Sequence, residues 1–151
     1  MSLHRRWFAS TCFAVMALSA PRFAVADQPP VQVVASISIL GDMIRNVGGR
    51  DVTLTVLIGP NTDAHSYEPT PAAAKALARA DLVIMNGLGL ESWLDRLISA
   101  SGYRGAVVKA SDGVMPRELD EAGEIVPDPH AWQDLANGKL YVTNIEHGLL
   151  F

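Results

Sequence analysis

Cysteine is nearly absent: Cys12 is the only one among 151 residues. It falls inside an N-terminal segment that reads as a removable leader. The rest of the chain therefore has no disulfide, no thiolate ligand and no cysteine nucleophile, whatever the redox state around it. Basic residues are also few, with 12 Lys and Arg against 16 Asp and Glu and a formal net charge of −4. Recognition of a phosphate backbone needs clustered Lys and Arg, so nucleic acid is excluded as a partner. The glycines of "NGLGLES" (86–92) have neither GxGxxG nor GxxxxGKS/T spacing and read as turn residues beside a helix start. No GxSxG occurs, so a serine-hydrolase elbow has no support. Beyond the leader no run is apolar for long enough to span a bilayer as a helix. Repeats and low-complexity stretches are missing too.

What is present begins with the leader itself. "MSLHRRW" carries Arg5 and Arg6, "FASTCFAVMALSA" is an apolar run of signal-peptide length, and "AVA" (24–26) supplies small residues where a signal peptidase cuts. Residues 1–26 are therefore expected to be a signal peptide, with the exported protein starting near Asp27. Cys12 lies within the apolar run rather than after it, which argues against a lipidation site. Loss of the leader removes Arg5, Arg6 and Arg22, leaving 16 acids, 9 of the 12 bases and a formal charge of −7. At 49% hydrophobic and 19% charged residues, the remainder is long enough for one domain with one core.

Strand and helix signals then alternate. "VQVVASI" (31–37) is β-rich, and "ILGDMIRNVGG" places Ile39, Leu40, Met43, Ile44 and Val47 at helical spacing before a glycine stop. "DVTLTVLI" (51–58) predicts a second strand. Thr70 and Pro71 open a helix over "PAAAKALARA", "DLVIMNG" (81–87) is a buried strand, and "LESWLDRLISAS" (90–101) is an amphipathic helix. "GAVVKAS" (105–111) predicts a fourth strand, 112–129 an acidic loop, and about 135–150 a last helix broken or bent near Gly138. The order predicts an α/β fold: a four-stranded, mainly parallel sheet flanked by helices. Ligands of such sheets bind outside the carboxyl ends of the strands, and the loops 59–70 and 111–134 both leave such ends.

Those two loops hold His65, in "NTDAHSYEPTP", and His130, in "VPDPHAWQD". Both open on one edge of the sheet, so imidazoles far apart in sequence can meet. Pro69, Pro71, Pro127 and Pro129 restrict the backbone beside them, which lowers the entropy lost on coordinating an ion. Neutral imidazole is a common ligand for borderline metals. A lone loop histidine is more often a surface or turn residue; a pair in corresponding loops puts a metal site level with that reading. His147, near the end of the last helix, reads as solvent-facing. Asp63, Glu68, Asp128 and Asp134 are candidates to orient an imidazole N–H, with Asp128 also a natural turn residue before Pro129. Glu68 cannot form an HExxH-like pair because Pro69 interrupts the turn it would need. Trp93 and Trp132 read as core or pocket wall.

Five segments carry a family resemblance: "VVASISILGDMIRNVGG", "DAHSYEPTP", "KALARADLVIMNGLGLESWLDRL", "DPHAWQD" and "NGKLYVTNI". In order they cover nearly all of the chain after the leader, and they resemble the periplasmic metal-binding solute receptors of zinc and manganese ABC importers. The resemblance implies one lobe of a bilobal metal-receptor fold, with metal held in the cleft between two similar lobes. It also implies that His65 and His130 are metal ligands and that the remaining ligands belong to a second lobe. On that comparison residues 27–151 are the N-terminal lobe, and the end at Phe151 reads as a truncation. A histidine-rich insert, common among zinc members, is missing from "ELDEAGEIVPDPH".

The expected function is a periplasmic solute-binding protein, not an enzyme. It would capture Zn2+, with Mn2+ as the alternative, and deliver it to the membrane permease of an ABC importer without itself inserting in the membrane. Imidazole ligands and the affinity order of divalent metals favour zinc. The alternatives are a fragment of such a receptor without function of its own, and a zinc hydrolase with Glu68 as base.

Overall fold

The computed structural model describes residues 28–150. The expected signal peptide and Cys12 lie outside the described residues. Four parallel strands form the sheet in the order β2-β1-β3-β4: β1 is Val31–Ile37, β2 Val52–Ile58, β3 Leu82–Met85 and β4 Ala106–Lys109. Between them run α1 (Ser38–Gly48), α2 (Pro71–Leu77) and α3 (Leu94–Ser101), and α4 (Leu135–Leu149) closes the described chain. The four-stranded parallel α/β architecture expected from the alternation of signals is the one observed.

Local chemistry explains each element. β1 and β3 are the central strands, and Val33, Val34, Ala35 and Leu82 to Met85 are all buried, as a strand covered on both faces requires. β2 is an edge strand whose faces are used differently. A methyl added at Gly41 of α1 would stand 2.6 Å from Val56, so α1 lies tightly on the Leu54–Val56 face. Ala72, Lys75, Ala76 and Arg79, from α2 and the turn after it, border Thr53 and Thr55 on the other face. α1 and α4 pack against each other, and Leu40, Ile44, Tyr141 and Ile145 are fully buried. Thr70 caps α2 by accepting a hydrogen bond from the Ala73 amide at 3.2 Å, with Pro71 at the first helical position.

The strand order places a switch point between β1 and β3, because the chain leaves β1 toward one edge of the sheet and later leaves β3 toward the other. Loops leaving β1 and β3 diverge there and open a crevice at the carboxyl ends of the strands.

Four local expectations change. The 112–129 segment is not all loop. Glu118–Glu121 (β5) and Glu124–Pro127 (β6) form an antiparallel hairpin, turning through Ala122 and Gly123 at φ of 55° and 90°. The Asp120 carboxylate accepts from the Gly123 amide at 2.7 Å and locks that turn. α4 runs unbroken through Gly138, whose amide donates to the Asp134 carbonyl at 2.9 Å. α2 ends at Leu77 instead of Ala80. α3 starts at Leu94 instead of Leu90, because the Glu91 carboxylate folds back onto the end of β3 and holds 88–93 as a turn.

Candidate metal centre

His65 and His130 meet. Their Nε2 atoms are 3.4 Å apart and their ring centroids 5.4 Å apart. Each is the third residue of an Asp-x-His triplet, and both triplets fold alike. Asp63 Oδ1 accepts from the His65 amide at 2.9 Å, and Asp128 Oδ1 accepts from the His130 amide at 2.9 Å. These bonds fold each acid back over its own loop, the Asx turn that Asp favours.

Beyond the backbone the acids differ. Asp128 Oδ1 lies 2.8 Å from His130 Nδ1. An ionised carboxylate only accepts, so Nδ1 carries a proton and, in the neutral ring, Nε2 presents its lone pair toward His65. The Asp128 carboxyl is held below its ordinary value chiefly by the His130 amide and then by the His130 ring. Asp128 is thus both turn residue and imidazole orienter. Asp63 takes the Ser66 hydroxyl on its second oxygen at 2.8 Å and is likewise held low, first by Ser66 and then by the His65 amide. It shapes the loop and makes no bond to the ring. Asp134 caps α4, accepting from the Ala136 amide at 2.8 Å. Glu68 is exposed and does not line the cleft that holds the histidines. His147 is exposed on α4.

The cleft measures about 240 Å³ and runs over the carboxyl ends of β1 and β2, from Ile37, Ser38 and Ile39 through 58–65 to Leu90, His130 and Trp132. Trp132 is its wall, meeting His130 edge-on at 5.3 Å. Trp93 is core, 3% exposed, and stacks at a tilt on Tyr67 at 4.7 Å. Its indole N–H donates to the Ala64 carbonyl at 3.2 Å.

Beneath the cleft lies a polar cluster that the sequence did not advertise. Glu91 is 4% exposed and accepts from the Ser36 hydroxyl at 2.5 Å and the Asn86 amide at 2.7 Å through Oε1, and from the Gly87 amide at 3.1 Å through Oε2. Asn86, 0% exposed, donates to the carbonyls of Gly87 and Pro129, each at 2.9 Å, and accepts from the Tyr141 hydroxyl at 2.7 Å. Burial pushes the Tyr141 phenol up to about 12, helped by the nearby Glu91 charge, so it stays a donor. The shared Asp-x-His spacing is a sequence signal for the two matched histidine loops; no spacing in the sequence marks the cluster around Glu91.

Burial also raises the Glu91 carboxyl above its usual 4.5, against the opposing pull of its three hydrogen bonds. The folded state then binds this proton more tightly than the unfolded chain does. Its contribution to stability is fully present below 4.5 and is lost as pH rises through the raised value of the folded state. Chemical denaturation from pH 4 to 7 should show this fall in the wild type relative to Glu91→Gln, in which the group does not titrate. Parallel profiles for the two proteins would exclude the effect.

Known proteins share this arrangement of sequence. Residues 33–150 match the family described as ZnuA, zinc-uptake complex component A, periplasmic. The manganese-binding lipoprotein MntA of Halalkalibacterium halodurans is 36% identical over 82% of this chain and 40% of its own length. The manganese ABC transporter substrate-binding lipoprotein PsaA of Streptococcus pneumoniae is 32% identical over 95% of this chain and 48% of its own. Among solved structures, the Mn-bound periplasmic metal-binding protein of Candidatus Liberibacter asiaticus superimposes with a TM-score of 0.70 at 34% identity, covering 78% of this chain and 44% of that one. A zinc-bound ZnuA deletion mutant gives a TM-score of 0.70 at 31% identity over 77% and 44%. The chain spans about half the length of the curated relatives it matches. With a family match across 33–150 and relatives above 30% identity, the chain belongs to the ZnuA family of metal-binding substrate-binding proteins of ABC transporters.

Proposed function

We propose that this chain captures a divalent transition metal outside the cytoplasmic membrane, through His65 and His130, for delivery to the permease of an ABC importer. The observation that carries the reading is the 3.4 Å between the two Nε2 atoms. Two nitrogens each about 2.0–2.1 Å from one zinc ion, at a tetrahedral angle, lie about 3.3–3.4 Å apart. The pair already stands at the spacing of two ligands on one ion. The Asp128 bond supports the same reading: it accepts from the Nδ1–H of the neutral His130 ring and so leaves Nε2 as the ligand atom, the orienting role that partners of metal-bound imidazoles play. The names of the relatives support export and metal transport: they are lipoproteins or periplasmic proteins that bind manganese or zinc.

Among the described residues no group of three or more His, Cys, Asp and Glu side chains is placed to hold a metal ion. The two imidazoles fill two positions of a four-coordinate ion, and water or ligands beyond the described residues fill the others. For a site made of imidazole nitrogen the affinity order runs from manganese upward to zinc. We therefore assign zinc as the ion this pair holds more tightly, with manganese as the weaker competitor.

The test is a competitive titration of the purified protein with Zn2+ and Mn2+, read beside its mass in solution. One ion per chain, with zinc displacing manganese, is the expected result. Absence of saturable binding of either ion would overturn the metal reading; manganese displacing zinc would overturn the choice of metal.

A further inference from the structure

The two histidines sit on loops 65 residues apart in sequence, yet one short segment grips both. In each case the grip falls on the carbonyl of the residue immediately before the histidine. Trp93 Nε1–H donates to the Ala64 carbonyl at 3.2 Å, and the Asn86 side-chain amide donates to the Pro129 carbonyl at 2.9 Å. Both donors are buried, Asn86 at 0% and Trp93 at 3% exposure. They stand at the two ends of the turn from β3 to α3, residues 86–93.

That turn is unusually constrained. Gly87, Leu88 and Gly89 follow one another at φ of 86°, 54° and 85°. Left-handed backbone at a non-glycine residue such as Leu88 persists only where the surroundings over-determine it. Here the surroundings are Glu91, which takes the amides of Asn86 and Gly87, and Ser36 at the end of β1, which donates to the same carboxylate. Tyr141 pins Asn86 from α4. Rotation of the Asn86 amide is fixed by its three partners: the two N–H bonds face carbonyls and the oxygen faces the phenol.

We infer that the 86–93 turn is a single rigid brace that sets the spacing of His65 and His130, with Asn86 and Trp93 as positioning residues for the two imidazoles. The brace deepens the metal reading and rests on His65 and His130 being the ligand pair. Its use is preorganisation: both loops are referenced to one body, so the gap between the Nε2 atoms is held before the ion arrives. Groups that orient metal ligands from behind commonly change metal affinity by about 10- to 100-fold when removed.

The test uses Trp93→Phe, which keeps an aromatic ring against Tyr67 and deletes the N–H, and Asn86→Leu, which deletes the amide at similar volume. Leu77→Ala, in the buried part of α2 and away from the cleft, is the control for lost stability. Zinc affinity is measured by competition, and the imidazole resonances of the metal-free proteins by nitrogen-15 NMR. The expected result is about a tenfold loss of zinc affinity in each brace variant, with Trp93→Phe moving chiefly the His65 signals and Asn86→Leu those of His130. Leu77→Ala should lose stability yet keep the affinity and both sets of signals. Wild-type affinity in Trp93→Phe and Asn86→Leu would overturn the brace. So would a Leu77→Ala protein whose affinity falls in step with its stability. If Asn86→Leu does not fold, the Trp93→Phe arm decides alone. The NMR readout needs no metal: shifts in the stated pattern support the brace even if the wild type binds no zinc, a result that would overturn the metal reading instead.

Discussion

Replacing either His65 or His130 by alanine should weaken zinc binding about a hundredfold, and replacing both should add little beyond the worse single change. The magnitude follows from structural zinc sites, where four ligands together supply about 10–16 kcal/mol, on the order of 3 kcal/mol for each. A loss of about 2.7 kcal/mol is a hundredfold change in affinity. Non-additivity follows from the geometry. In the proposed site, Nε2 atoms 3.4 Å apart would hold one ion as a chelate, and one imidazole without the other would hold it only as a free side chain does. His147→Ala is the internal control, because His147 is exposed on α4 and outside the cleft lining. Isothermal titration of the three single variants and the double variant provides the measurement. Unchanged zinc affinity in both His65→Ala and His130→Ala would sink the assignment. An equal loss in His147→Ala would show instead that the binding measured is non-specific. Asp128→Asn should produce a smaller loss, since it weakens the bond that fixes the His130 ring without removing a donor atom.

The reason this pair was legible in the sequence lies in topology. Parallel strands put the loops after β2 and β4 on one edge of the sheet, so histidines in both were candidates to meet without any knowledge of strand order. Elements with strong periodicity, such as α1 with Leu40 and Ile44, or β3 with its unbroken apolar run, were equally plain. The β5–β6 hairpin was hidden because "ELDEAGEIVP" is acidic on both faces, so the alternation that marks a half-buried strand is absent. Its turn uses an Ala-Gly pair with positive φ instead of the usual Asn-Gly. Glu91 was hidden for the opposite reason. In "LESWLDRL" a glutamate beside polar neighbours reads as the solvated face of an amphipathic helix, and only the three-dimensional arrangement shows that it points inward to Ser36 and Gly87. That inward turn also delays α3 by a full turn. A buried carboxylate thus overrode the helical pattern, and no periodicity argument registers a charge used as an anchor.

Glu91→Ala should be among the most destabilising single changes in the protein, by about 3–5 kcal/mol. Three donors converge on this carboxylate, and each would be left without its partner: the Ser36 hydroxyl, the Asn86 amide and the Gly87 amide. A buried donor stripped of its acceptor costs about 1–3 kcal/mol, and the vacated volume adds a packing loss. The estimate stays at the lower part of the sum because a water can enter a polar space of this size and satisfy some of the amides. Glu91→Gln should cost less, about 1–2 kcal/mol. Its oxygen keeps the two bonds made by Oε1, while its NH2 faces the Gly87 amide donor to donor. The strained backbone at Leu88 raises the stakes further, since the carboxylate holds that turn in place at φ of 54°. Urea denaturation followed by circular dichroism separates the cases. A midpoint shift for Glu91→Ala larger than that for Glu91→Gln, with an unchanged slope, is the expected pattern. Equal midpoints for both variants and the wild type would mean that the three donors find other partners at no cost. A changed slope would mean instead that the turn unfolds on its own. In that event zinc affinity should fall together with the turn, because the carbonyls of Ala64 and Pro129 hang from its two ends.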